Sequence, residues 1–220
     1  MRLVIFGPQG AGKGTQSALI GERFGIPAVS TGDIFRWAIK GRTSLGLEVL
    51  QYVDGGRLVP DDLTVRVVRE RLEAADAAQG FLLDGFPRNT YQAGALDDLL
   101  SEIGHPLDGA LVIEVDEETS LRRLLGRRAC SQCGRNYNLE SPPSHDWTCD
   151  VCGGEVVKRV DDNEEQTIRE RLKLYHEQTE PLKEYYAQQG LLRQVDGFGR
   201  PEEVFDRIVE ALGEPDAVAS

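Results

Sequence analysis

Near the amino end, the segment Gly7-Pro8-Gln9-Gly10-Ala11-Gly12-Lys13-Gly14-Thr15 sets glycines around one lysine and closes on a hydroxyl. From Gly7 to Lys13 it fits G-x-x-x-x-G-K. A loop of this kind turns its backbone N–H groups inward as an anion nest, and the positive end of the next helix adds to the field. Lys13 can then reach outer phosphates as a point charge. An apolar stretch precedes the loop and a helical pattern follows, which is the context the motif needs. Gly10, Ala11, Gly12, Lys13, Gly14 and Thr15 are therefore candidate phosphate contacts. In the general motif the hydroxyl follows the lysine directly; here Gly14 intervenes.

Asp84 ends a second apolar stretch and is followed by Gly85-Phe86-Pro87-Arg88. Ligands of parallel α/β sheets sit beyond the carboxyl ends of the strands. An acid there can hold Mg²⁺ through water, because this ion dehydrates reluctantly. Arg88 can face a second phosphate. The other chemical signal is Cys130-x-x-Cys133 followed by Cys149-x-x-Cys152, two paired knuckles suited to a tetrahedral structural metal. Zn²⁺ is the expected ion, Fe or Co are compatible with the same soft ligands, and His145 is a more distant corner candidate.

These residues need a frame, and the apolar pattern supplies one. Short apolar runs at 1–6, 28–30, 81–84, 110–115 and 192–195 read as strands buried on both faces. Helical patterns occupy 13–24, 34–40, 45–54, 61–78, 89–103, 117–128, 164–189 and 201–212, with Thr31 and Asp33 as N-cap candidates before the second. The alternation predicts a five-stranded parallel α/β sheet with helices on both faces. Residues 31–59 and 126–163 read as insertions without core strands.

The 220 residues carry a formal net charge of −12, which argues against a nucleic-acid partner. Basic residues nevertheless gather between 122 and 171, an arrangement suited to a small polyanion. No apolar run approaches the ~20 residues that span a bilayer, and 3–6 is too short for a secretory signal. The expectation is a cytoplasmic chain with reduced cysteines and no membrane contact.

Taken in order, Gly7–Gln16 as G-x-x-G-x-G-K-G-T-Q, Ser30–Arg36 as S-T-G-D-I-x-R, Asp84–Arg88 as D-G-F-P-R with Gln92, Gly126-Arg127-Arg128 and Arg159-x-Asp161-Asp162 resemble the adenylate kinases. These are nucleoside monophosphate kinases, and the long form carries an inserted lid. The resemblance spans essentially the whole chain, and G-K-G-T is what its pattern asks for.

It implies a P-loop nucleotide kinase fold with a core of 1–29, 60–125 and 164–220, an NMP-binding domain at 30–59 and a lid at 126–163. The implied reaction is Mg²⁺-dependent transfer from ATP to AMP giving two ADP, by a monomer. Thr31, Arg36, Arg57, Val59, Gly85, Arg88 and Gln92 would line the AMP site, with Arg159 and Arg171 reaching its phosphate. Lys13, Arg123, Arg127, Arg159 and Arg171 would contact donor phosphates and the transferred group, with Asp84 holding the ion and Arg200 at the adenine edge. The donor base stays open between ATP and GTP. One extra residue before Arg171 leaves Arg169 as its competitor, with Arg171 favoured because Arg-Leu follows the family pattern. Pro8-Gln9 stands where relatives carry a small residue and then proline.

Overall fold

A computed structural model describes residues 1–53, 59–158 and 164–213 of the chain. Five strands form the main sheet: β1 (Arg2–Phe6), β2 (Ala28–Ser30), β3 (Phe81–Asp84), β4 (Gly109–Glu114) and β8 (Leu192–Asp196). Their spatial order is β2-β3-β1-β4-β8 and every pairing is parallel. All carboxyl ends therefore lie along one edge. Side-chain alternation explains the continuous apolar reading. Val4, Phe6, Phe81, Leu83, Ala110 and Val112 face one core. Leu3, Ile5, Leu82, Leu111 and Ile113 face the other.

The first core is closed by α2 (Thr31–Lys40), α4 (Asp61–Leu72), α5 (Thr90–Glu102) and α8 (Leu182–Gln188). Against the second lie α1 (Lys13–Phe24) and α9 (Pro201–Leu212), through Ile20, Val204 and Ile208. α3 (Ser44–Val53) packs on α2, and α6 (Glu117–Leu125) on α7 (Glu165–Leu174). A separate antiparallel sheet, β6-β5-β7, joins β5 (Arg127–Cys130), β6 (Asn136–Asn138) and β7 (Val156–Lys158).

Several boundaries differ from the sequence expectation. The helix predicted over 117–128 stops at Leu125, and Arg127–Cys130 is strand, because pairing with β6 and β7 overrides local helical preference. The single helix predicted over 164–189 is three pieces: α7, a π-helical turn at Tyr175–Thr179, and α8 after Pro181. α4 ends at Leu72, and a 3-10 turn at Ala75–Ala77 follows. The cap of α2 is Ser30, ahead of both candidates Thr31 and Asp33, which lie in the first turn: its Oγ accepts the Asp33 N–H at 3.1 Å.

α2 and α3 meet backbone to backbone at Gly46, where an added Cβ would lie 2.1 Å from the Ala38 carbonyl oxygen. Gly46→Ala must therefore push the two helices apart. A loss of about 1–3 kcal/mol is expected, read as a lower urea midpoint at unchanged slope.

Candidate active site at the carboxyl edge of the sheet

β1 delivers the glycine loop to the carboxyl edge. Gly7 leaves the strand at φ +145°, and a Cβ there would stand 2.3 Å from the Ile113 carbonyl oxygen, so only glycine lets the loop start this close to β4. Ala11 N–H closes onto the Pro8 carbonyl at 3.2 Å, and Thr15 and Gln16 N–H groups turn back to Gly12 at 3.0 Å. The N-cap of α1 is Gly12, with no side-chain cap and no acidic residue in the first turn. By contrast α2, α5 and α6 are capped by Ser30, Asn89 and Asp116. The start of α1 thus carries no side chain that would compete with an anion for its positive end.

The Lys13 ammonium donates to the Gly7 and Pro8 carbonyls, both at 2.9 Å. To reach a phosphate it must exchange these acceptors. Burial is the largest influence on it and lowers its pKa to about 8; Asp84 opposes this, while Arg127, Arg88 and Arg171 add to it. β3 sets Asp84 beside α1: a Cβ on Gly14 would lie 3.9 Å from Asp84 Oδ2. Burial raises the Asp84 pKa, against the attraction of Lys13 and Arg88 and a hydrogen bond from Ser17. One carboxylate thus faces a surplus of cations. A single oxygen donor group of this kind suits an Mg²⁺ ion that keeps most of its water.

Arg88 follows from the turn after β3, where the Phe86–Pro87 peptide is cis. Its Nε donates to the Gly85 carbonyl at 2.8 Å. Protein atoms crowd the guanidinium although part of the residue is open to water; this desolvation lowers its pKa, Asp84 raises it and Arg171 lowers it again. Arg171 thus acts on both Lys13 and Arg88. Arg169 instead points to Glu165 at 2.7 Å and Glu117 at 3.1 Å. Arg123 reaches back across the loop, donating to the Gly10 carbonyl at 3.4 Å and the Gly197 carbonyl at 3.1 Å.

On the other flank, Thr31 Oγ1 donates to the Gly85 carbonyl at 2.5 Å, and Arg36 pairs with Asp33 at 2.5 Å. Val59 is half-buried against the first core. Gln92 is 4% exposed and works on Arg88: its Oε1 accepts the Arg88 N–H at 2.8 Å, and its Nε2 donates to Asp61 at 2.6 Å. Arg200 lies apart from this cluster, exposed at the start of α9, where its N–H and Nε bond the Glu203 carboxylate at 2.9 and 3.0 Å. Arg57 and Arg159 lie outside the described residues.

Residues that sequence reasoning did not single out support these groups. Thr179, at the end of the π-helical turn, donates to the Arg88 carbonyl at 2.8 Å. Asp61 takes both the Gln92 and Asn89 amides, the latter at 2.9 Å. Buried Gln16 donates its Nε2 to the Pro201 carbonyl at 2.9 Å, tying α1 to α9. Only Gln16 left a trace, as the last letter of G-K-G-T-Q.

The four cysteines close into one cluster whose Sγ atoms all lie within 4.8 Å of one another. Cys130 and Cys152 Sγ are 3.4 Å apart, Cys133 and Cys149 Sγ 3.6 Å, and all four are free thiols. Thiolates around zinc at about 2.3 Å stand about 3.8 Å from each other, so the ring has the size for such an ion. Each knuckle turns N–H groups onto its first sulfur, Gln132 and Cys133 onto Cys130, and Val151 and Cys152 onto Cys149. His145 is not among the clustered ligands.

An anion bound beside Lys13 should draw its pKa back toward 10.5 from about 8, so binding of inorganic sulfate, which carries no proton in this range, near about pH 8.5 should take up protons. Lys13→Arg keeps a charge that does not titrate and should abolish the uptake. Calorimetry in buffers of different ionisation heat measures it. Equal heats in every buffer for the unaltered chain would remove Lys13 from the anion site.

The family model described as adenylate kinase matches residues 5–191, a span holding the glycine loop, the Asp84–Arg88 turn and the cysteine ring. The chain is 52% identical over 213 residues to a protein called adenylate kinase from Carboxydothermus hydrogenoformans, covering 96% of this chain and 99% of that one. It is 49% identical over 214 residues to the adenylate kinase of Clostridium botulinum, covering 97% and 99%. Against that of Clostridium perfringens it is 48% identical over the same length and coverage. No described helix is long and apolar enough to cross a membrane. With a glycine loop, a D-G-F-P-R turn and a four-cysteine ring set on this parallel sheet, and near-complete alignment to such relatives, the chain belongs to the adenylate kinase family of phosphotransferases.

Proposed function

We propose that the chain catalyses reversible transfer of a phosphoryl group from ATP to AMP, giving two ADP, with Mg²⁺ bound to the donor. The observation that carries this reading is the buried Lys13 on the glycine loop, with Asp84 Oδ2 against the same turn of α1 and with Arg88, Arg127 and Arg171 each near enough to act on the lysine. Phosphoryl transfer passes through a loose transition state, so it asks for positioning and charge stabilisation and needs no strong general base. A cationic cluster fits that demand.

Two nucleotides bring like charges together, and the cluster offsets their repulsion. The glycine loop and Lys13 would hold the donor phosphates, with Arg123 and Arg127 beside them and Arg200 at the base. The Thr31–Gly85–Arg88 wall would hold AMP, with Arg36, Val59 and Gln92, and with Arg57. Arg88 and Arg171, with Arg159, would bridge to the transferred group. Gln92 and Thr179 fix the Arg88 backbone from both sides, so its guanidinium turns about a held anchor. Mg²⁺, held near Asp84 through water, would draw charge from the donor phosphates. Residues 126–163 would act as a lid that excludes water, which would otherwise waste the donor by hydrolysis.

The four cysteines would hold zinc as a structural ion that knits the lid together. Nucleotides are the proposed partners, and the cytoplasm and a monomeric state are the proposed setting.

With Mg²⁺ and ATP, ADP should form rapidly with AMP and only slowly with CMP or UMP. Robust turnover with a pyrimidine monophosphate and none with AMP would overturn the assignment. Arg88→Ala should cut turnover by about 10²–10³-fold while the melting temperature holds. Stripping the cysteine-bound metal with a chelator should lower the melting temperature and leave turnover at permissive temperature. A metal-free protein that melts like the loaded one would deny the ion its structural role.

A further inference from the structure

We propose that Tyr137 is an outer-sphere positioning residue of the four-cysteine site, its hydroxyl fixing the Cys149 thiolate and offsetting the site's negative charge when a divalent ion is bound. Tyr137 lies on β6, 8% exposed, and its hydroxyl donates to Cys149 Sγ at 3.3 Å. The same oxygen accepts the Asp150 N–H at 2.9 Å. A backbone N–H can only donate, so the phenolic proton is left for the sulfur. The direction of the bond is therefore set by the fold.

Charge explains the need. Four thiolates around a divalent ion leave about two negative charges in a small volume, within a chain whose net charge is already −12. Cys133 and Cys152 are exposed and water can solvate them, whereas Cys130 and Cys149 are each 3% exposed. A buried charge is costly unless hydrogen bonds take the place of water. Both buried sulfurs receive knuckle N–H groups. Cys149 receives in addition a side-chain donor, the hydroxyl of Tyr137.

The ring is well held for this task. It packs with Cys130, Cys149, Val156 and Trp147 in a small core of its own, and the Arg135 guanidinium carbon lies 5.8 Å from its centroid. The next residue, Asn138, anchors the strand to the end of α6 by donating to the Arg123 carbonyl at 2.7 Å. A rigid donor on an anchored strand is what an outer-sphere contact requires. The inference does not depend on the nucleotide reaction, and its failure would leave that reading untouched.

The test uses the full chain carrying Tyr137→Phe, which keeps the ring and deletes the donor. Zinc affinity, measured by competition with a chromogenic chelator, should fall by about 10- to 100-fold. With Co²⁺ as the bound ion, the thiolate-to-metal charge-transfer bands should move to lower energy, because the sulfur has lost a donor. The metal-stripped variant should melt with the metal-stripped parent, since Asp150 is exposed and water can take its N–H. Unchanged zinc affinity, unmoved Co²⁺ bands, or an equal loss of melting temperature with and without metal would each overturn the proposal.

Discussion

Positive charge held close together at the edge of a parallel sheet is the constraint around which the rest is arranged. Arg88, Arg127 and Arg171 all act on Lys13, and the desolvated carboxylate of Asp84 opposes them. Such a group is unfavourable by itself: burial first, and then the neighbouring guanidiniums, hold Lys13 down to about 8 against the pull of Asp84. Between that value and 10.5 the unfolded chain binds the additional proton, so this lysine's contribution to stability improves as pH rises through the window. A polyanion reverses the local balance, which is why a ligand with several phosphates suits the site.

The scaffold spends its rigidity on backbone around that charge. The glycine loop closes on its own carbonyls through Lys13, and Arg123 reaches from α6 to the same loop. Around Arg88, an amide from α5 and a hydroxyl from the π-helical turn grip the N–H and the carbonyl. Gln92 is held in turn by Asp61 at the start of α4. A long side chain anchored this way can reorient its charged end without moving the turn that carries it. Preorganisation of that kind is what charge-stabilising catalysis draws on.

The small sheet solves a different problem. Its core consists of Cys130, Tyr137, Cys149 and Val156 with Trp147 against them, too little apolar surface to order a segment by burial alone. A cross-linking ion held by the four cysteines would supply what burial cannot. Through Asn138 and the carbonyl of Arg123, the same sheet is tied to the helix that also touches the glycine loop. Order in the small sheet and placement of Arg123 are thus mechanically connected.

The parallel sheet, the glycine loop, the Asp84 turn and the cysteine ring were legible in the sequence because each depends on local signals: apolar runs, glycine spacing, C-x-x-C pairs. The end at 125 was not, since β5 exists only by pairing with β6 and β7; the break after 174 did have a local signal, Pro181, which the long helical pattern masked. The choice between Arg169 and Arg171 could not be read from spacing, because it depends on which helix face meets Glu117 and which meets Lys13. Likewise Thr179, Asp61 and Tyr137 have ordinary types at ordinary positions. What the sequence determined by itself was the kind of chemistry, because a glycine loop with its lysine and a four-cysteine ring are built from residues near one another along the chain. Only the tertiary structure decided which distant side chains hold those residues still, because contacts such as Thr179 to Arg88, across 91 positions, exist only once the chain has folded.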